Sequence, residues 1–292
     1  MTPDAGRSAR GLDRRPKIEE MDVYGVTDIG KVRKFNQDHF LLCSLQKRME
    51  IHLTSLPDLD QLPVGNQQVA YLAMVADGVG GGAGGEEASR LAIRTITNYV
   101  QHSMDCYYQA RPNEQDFLSS LTDAAMECHT NVHSEAAEHP EYRGMATTLT
   151  LALGVWPYAY VLQVGDSRCY LLIDDRIVQI TRDQTMAQDL VDQGVMTRSD
   201  AENTRWAHVL SSAIGGSQAA PTITRIDQAW DNVILLCSDG LTKHVTEAQI
   251  RDRLIAMKSS KQVCEQLLQD ALEDGGTDNV TLIVGRVVQD VE

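Results

Sequence analysis

The chain has 292 residues, 42% of them hydrophobic and 23% charged, a composition that excludes disorder throughout and allows one large domain or two small ones. Its 41 acidic and 26 basic side chains give a formal charge of −15, which repels phosphate backbones and anionic lipid and excludes nucleic-acid and membrane-surface partners from the expected set. No apolar run approaches the ~20 residues that span a bilayer. The first 20 residues are polar and lack the apolar stretch of a signal peptide. The six cysteines show no C-x-x-C spacing, as expected of reduced thiols in a cytoplasmic protein.

Residues 1–20 carry mixed charge without apolar periodicity and read as a flexible tail, and no linker divides 21–292, which reads as a single domain. Strands are expected at Val23–Thr27 and Asp38–Cys43, then a surface loop over 44–68. The continuous apolar run Val69–Ala76 reads as a buried strand entering a turn at Asp77-Gly78. Apolar stripes at helical spacing predict helices over 86–102 and 114–138. The period then shortens, giving strands at 147–155, 159–164, 168–173 and 177–180, and tight turns between them suggest an antiparallel meander. The stretch 183–220 is less regular, with a short helix over 185–193. Strands at 222–227 and 232–237, helices near 246–257 and 260–272, and a strand at 279–288 complete the chain. This order argues for an α+β fold with helices covering an antiparallel core.

Four segments place an aspartate beside Gly, Ser or Asn at the edge of an apolar strand: Asp77-Gly78, Asp166-Ser167, Asp239-Gly240 and Asp278-Asn279. A fifth carboxylate, Asp38, opens a strand. One Asp-Gly is ordinarily a turn. Five carboxylates aimed at a common point would repel one another unless cations neutralise them. Oxygen ligands without His or Cys suit Mg²⁺ or Mn²⁺ rather than zinc.

The glycine run 78–85 also satisfies a relaxed dinucleotide fingerprint, Gly78-x-Gly80-x-x-Ala83. Against that reading, Asp77 would oppose the pyrophosphate, a second helix follows where a parallel strand is required, and no Walker lysine is present. Arg33 lies just before Asp38. A guanidinium there can hold a phosphate beside a metal cluster, although taken alone Lys31, Arg33 and Lys34 read as an exposed basic turn.

Together these segments resemble the metal-dependent serine/threonine protein phosphatase family, the protein phosphatase 2C type, in its compact bacterial form. The resemblance covers about 22–288 and runs in family order: Gly25–Gly30 with Arg33 and Asn36-Gln37-Asp38; Val75–Gly81 with Gly85–Ser89; Gly144–Leu149; Val164–Arg168; Leu235–Leu241; and Gly276–Thr281. It implies a four-layer α-β-β-α sandwich of two antiparallel sheets flanked by helix pairs, with a mobile flap over about 183–220. It also implies two core Mg²⁺ or Mn²⁺ ions and a weaker third. Asp77 would bridge the core ions, the Gly78 carbonyl would add a ligand, Asp239 and Asp278 would complete one shell, Asp38 would stand beside the second ion, and Asp166 would help to hold the third. Arg33 would bind the substrate phosphate, and a water bridging the ions would attack phosphorus in phosphoserine or phosphothreonine of a protein. The implied protein is a monomer acting on substrates of a serine/threonine kinase.

Two departures stand out. Gln37 replaces a usual glutamate, and Val79 stands where many animal members carry a histidine used as general acid. Gln184 stands for the histidine of a further family motif and carries no catalytic assignment, and His39 is expected to face away from the cluster. The rival reading is a pseudophosphatase-type regulator that binds phosphoproteins without turnover.

Overall fold

Strands whose side chains are apolar on both faces need cover on both sides, and here alternate residues face two different cores. In β10 (Val233–Cys237), Val233, Leu235 and Cys237 join one cluster and Leu236 another. In β5 (Leu149–Val155), Leu149, Leu151 and Leu153 face one way and Ala152 the other. Both strands are therefore interior, with a helical layer over one face and a second sheet over the other.

The computed structural model describes residues 14–49, 65–80, 83–103, 114–202 and 204–288. One sheet has the order β1 (Met21–Asp28), β11 (Val280–Val287), β10, β7 (Arg168–Ile173), β8 (Arg176–Gln179). The other runs β2 (Asp38–Met49), β3 (Gly65–Val79), β5, β6 (Tyr158–Val164), β9 (Thr222–Asp227), and the two-residue β4 (Ala146–Thr147) also pairs with β3. All pairings are antiparallel. Helices α1 (Ala83–Ser103) and α2 (Glu114–Glu138) cover the second sheet through Leu91, Ile96, Leu121 and Val132. The short α3 (Met186–Asp192) and α4 (Arg198–Glu202) lie in the 183–220 stretch, and the one-turn α5 (Asp239–Thr242) follows β10. Helices α6 (Glu247–Ile255) and α7 (Ser260–Glu273) cover the first sheet through Ile250, Leu254, Val263 and Leu267. Between the sheets lie Val75, Val161, Leu171, Leu236 and Ile283. This is the expected α-β-β-α sandwich.

Three local expectations are corrected. The loop expected over 44–68 is shorter at both ends, because β2 continues to Met49 and β3 begins at Gly65, with a register shift between Leu45 and Gln46; residues 50–64 lie outside the described residues. The strand expected over 147–155 breaks at Thr148. There the Thr148 amide donates to the Asp77 carbonyl at 2.9 Å, and its hydroxyl accepts from the Asp77 amide at 3.0 Å. Finally, the segments between 147 and 180 do not form one meander. β6 belongs to one sheet and β7 to the other, so the chain crosses between sheets at Gly165–Ser167. The Asp174-Asp175 hairpin between β7 and β8 is as expected, with φ of 47° and 63° as a type I′ turn requires.

Within the expected tail, residues 1–13 lie outside the described residues, but Arg14 pairs with buried Glu20 at 2.5 Å and sits 5.0 Å from the centre of the Trp230 ring.

Gly240 shows how tightly the two motif turns are pressed together. A Cβ there would come within 1.9 Å of the Asn279 carbonyl oxygen. Gly240→Ala therefore forces α5 away from the start of β11, and the expected cost is about 1–3 kcal/mol of overpacking. Denaturant melts against wild type measure it; an unchanged midpoint would contradict the packing described.

Candidate metal centre

The same ends of both sheets bring the predicted carboxylates together. Asp38, first residue of β2, pairs directly with Asp77 near the end of β3. Like charges placed opposite on neighbouring strands are destabilising. Asp239 follows the end of β10, Asp278 precedes β11, and Asp166 occupies the crossing between β6 and β7. Asp38 and Asp166 are buried. Burial first, then repulsion from Asp38, Asp239, Asp166 and Asp278, raises the Asp77 carboxyl well above its ordinary value. Burial and repulsion from Asp239 raise Asp166 to about 7. Asp38 is pushed by burial to about 6, although hydrogen bonds from Thr281 and Ser238 oppose the shift.

The surrounding hydrogen bonds serve placement. The Ser238 hydroxyl donates to Asp38 Oδ2 at 2.8 Å and accepts from the Thr281 amide at 3.0 Å, which ties the two sheets at the site. Thr148, fixed to Asp77, also bonds the Ser167 hydroxyl at 2.7 Å beside Asp166. Asn279 was not singled out from the sequence, yet it sets the Arg33 loop: its Nδ2 donates to the carbonyls of Ile29 and Phe35 at 2.9 and 3.0 Å, and its Oδ1 accepts from the Gln37 amide at 2.9 Å. The clue was its place between Asp278 and an apolar strand, where an amide can cap two loops.

Arg33 is brought to the cluster as expected, with Nε 2.6 Å and a terminal nitrogen 2.8 Å from the two oxygens of Asp278. Lys243, also unanticipated, sits 2.6 Å from Asp239 Oδ2 and 2.6 Å from Asp278 Oδ2. Burial opposes it, but these two cations hold Asp278 below the ordinary carboxylate range. Gly78 lies where a Cβ would fall 2.1 Å from the Gly85 carbonyl oxygen, so the β3 end and the start of α1 meet only with glycine there. The Gln37 side-chain nitrogen donates to the Gly80 carbonyl at 3.2 Å. His39 bonds the Ser89 hydroxyl of α1 at 3.0 Å, on the helical side of the sheet as expected. Gln184 is a structural latch: its Oε1 accepts from the Gly165 amide at 2.8 Å and its Nε2 donates to Ala220 at 2.9 Å, bracing the turn that carries Asp166.

Among the described residues, no three His, Cys, Asp or Glu side chains are already drawn into a metal-holding set. Lys243 and Arg33 take up oxygens of Asp239 and Asp278 instead. The donors nevertheless fit hard divalent cations, because Oδ1 of Asp38 and Oδ1 of Asp239 are buried with no hydrogen-bond partner. A buried carboxylate oxygen left unpaired is costly, and Mg²⁺ or Mn²⁺ is the partner this all-oxygen set suits.

Residues 54–275 match the sequence model of the family described as Protein phosphatase 2C. The chain belongs to that family. A relative from Mycobacterium tuberculosis, "Serine/threonine protein phosphatase PstP", is 33% identical over 75% of this chain, and the match spans 41% of the relative's length. "Serine/threonine phosphatase stp" of Listeria innocua is 29% identical over 75% of this chain and 85% of its own. Among solved structures, the catalytic domain of serine/threonine protein phosphatase PstP in complex with two manganese ions superposes with a TM-score of 0.71 at 29% identity, covering 92% of this chain and 99% of that one. The protein phosphatase 2C fold thus accounts for both sheets and for the helices that cover them.

The raised carboxyls set a pH dependence. Asp38 and Asp166 hold protons in the folded chain at pH values where the ordinary group, at 3.8, has released them. Their contribution to stability is complete below 3.8 and is lost as pH rises through about 6 and 7. Depressed Asp278 acts in the opposite sense, losing its contribution as pH falls below 3.8. Without divalent ions, the unfolding midpoint is expected to fall between about pH 5 and 8, and saturating Mn²⁺ should remove most of that fall. Thermal melts across this range check it; a midpoint that climbs with pH in the absence of ions would contradict the carboxylate geometry.

Proposed function

We propose that this chain is a Mg²⁺- or Mn²⁺-dependent phosphatase that hydrolyses phosphoserine and phosphothreonine in proteins. The observation that carries the reading is the convergence on Asp77 of four further carboxylates, two oxygens of the cluster lacking any partner, beside the Arg33 guanidinium. The names of the relatives agree with it. In this reading Asp77, with its neighbours Asp38 and the Gly78 carbonyl, and Asp239 with Asp278, would hold two ions. When bound, the ions would supply Lewis-acid activation of a water nucleophile and neutralise phosphoryl oxygens.

The chain's own residues do the rest. Arg33 lies in a loop fixed by Asn279 and is half exposed, with 49% of its side chain accessible. Its planar fork, now on Asp278, can turn to two oxygens of a phosphate without leaving the cluster. Asp166 and Asp239 also line a cleft of about 540 Å³ between the 183–220 stretch and α5–α6, which includes Arg168, Arg198 and His208. Arg168 is committed there to Asp183 at 2.6 Å, so it orders the cleft wall rather than meeting substrate. An open cleft of this size admits a peptide side chain carrying phosphate, whereas a free phosphate ester would use only its inner end. The substrates in view are phosphoproteins made by a serine/threonine kinase, with a cytoplasmic location.

The direct test is hydrolysis of p-nitrophenyl phosphate and a phosphothreonine peptide with Mn²⁺ and with chelator. Turnover that needs the ion is expected; peptide binding without turnover would favour a catalytically silent regulator. Asp77→Asn is expected to lower kcat/KM by at least ~10³, about 4 kcal/mol of transition-state stabilisation. Arg33→Ala should not weaken Mn²⁺ binding, since it only frees oxygens of Asp278, and should mainly raise KM, because it removes a clamp used in ground and transition states alike. Calorimetry and steady-state kinetics on the two variants separate these roles, and normal Mn²⁺ affinity with normal turnover in Asp77→Asn would overturn the bridging assignment.

A further inference from the structure

Lys243 follows α5 and stands four residues after Asp239, so one helical turn returns its side chain to that carboxylate. Its ammonium reaches two motif aspartates at once, 2.6 Å from Asp239 Oδ2 and 2.6 Å from Asp278 Oδ2. It lines the cleft with Asp166. A lysine three-quarters buried among carboxylates is not a solvated surface charge: its side chain is 25% exposed.

The geometry points to Lys243 as a built-in cation of the centre, occupying the charge position that a third metal ion at Asp166 and Asp239 would otherwise fill. This rests on the two-ion reading proposed above. Charge balance supports it. Asp38, Asp77, Asp166, Asp239 and Asp278 carry five negative charges when ionised; two divalent ions and one ammonium match them, and the Arg33 charge is left over for an anionic substrate. A third divalent ion at Asp166 and Asp239 would have to share the cleft with a positive charge tethered at the end of α5, which costs Coulomb repulsion in a partly buried site. The expected third ion therefore does not fit this chain. Without metal, the same ammonium bonds both Asp239 and Asp278 at 2.6 Å, so the two motif turns stay assembled before any ion arrives. A metal entering between Asp239 and Asp278 must push the ammonium off those oxygens, while its tether at the end of α5 keeps the charge in the cleft beside Asp166, and Lys243 thereby sets the concentration of ion at which the centre fills.

The test is a count and an affinity, neither of which depends on turnover. Isothermal titration of the full chain with Mn²⁺, with metal analysis of the dialysed complex, is expected to give two ions per chain. Lys243→Met should bind Mn²⁺ about tenfold more tightly, about 1.4 kcal/mol, because no ammonium has to be moved off Asp239 and Asp278. Its unfolding midpoint without ions should drop, and the gain on adding Mn²⁺ should exceed that of wild type. Lys243→Arg keeps the charge and should retain the wild-type midpoint and affinity within about threefold, a control should the Met variant fold poorly. Three ions in the wild type, or unchanged affinity in Lys243→Met, would overturn the assignment of Lys243 and leave the two-ion reading standing. A wild type that binds no Mn²⁺ would overturn both.

Discussion

Repulsion between Asp38 and Asp77, paired across adjacent strands, is the constraint around which the rest of the site is arranged. A sheet tolerates directly opposed carboxylates only where something compensates. Here part of the compensation is structural: Ser238 donates to Asp38, Thr148 grips the Asp77 backbone from both sides, and Lys243 and Arg33 supply positive charge to the neighbouring pair Asp239 and Asp278. The remainder is left open, as two buried oxygens with no partner. The polar interior at this end of the sandwich is thus stressed by design of its topology, and the apolar cores on either side of the strands hold it in place.

That arrangement explains why both sheets are needed. Asp38 and Asp77 come from one sheet, Asp239 and Asp278 from the other, and Asp166 from the segment that passes between them. The bond from Ser238 to Asp38 crosses the interface at the site itself. A small relative slide of the sheets would therefore change the distances between those two pairs, and the Ser238–Asp38 bond opposes it. The close contacts of Gly78 with Gly85 and of Gly240 with Asn279 hold each pair rigid on its own side, since neither contact has slack.

Much of this was legible in the sequence. The bounds of α2, β7 and β9 follow directly from apolar periodicity, and the five aspartates and Arg33 do converge. What was not legible has physical causes. The crossing at Gly165–Ser167 looks like any hairpin turn, because strand spacing does not say which sheet the next strand joins. The outer parts of β2 and β3 read as loop because Gln46, Lys47, Asn66 and Gln67 are polar; β2 is an edge strand, which tolerates polar residues. Lys243 was overlooked because a lysine beside a motif is ordinarily solvated, and only the helical turn of α5 shows where it points. Gln184 was seen but its use was not, since bracing a turn leaves no trace in spacing.

The pairing of β1 with β11 has a further consequence, for the order of events during synthesis. The first strand finds its neighbour in the last, and Asp278 enters immediately before that last strand. A ribosome-bound chain can therefore fold the α1–α2 face and the sheet beneath it, but it must wait for residues beyond 280 before the other sheet gains its second-from-edge strand. Until then β1 is an unpaired edge, and the carboxylates of the first sheet to form lack Lys243, which a late segment carries. Long-range closure of this kind slows folding and lengthens the exposure of strand edges. Assembly of the charged centre and completion of the fold are, for this topology, one and the same late step.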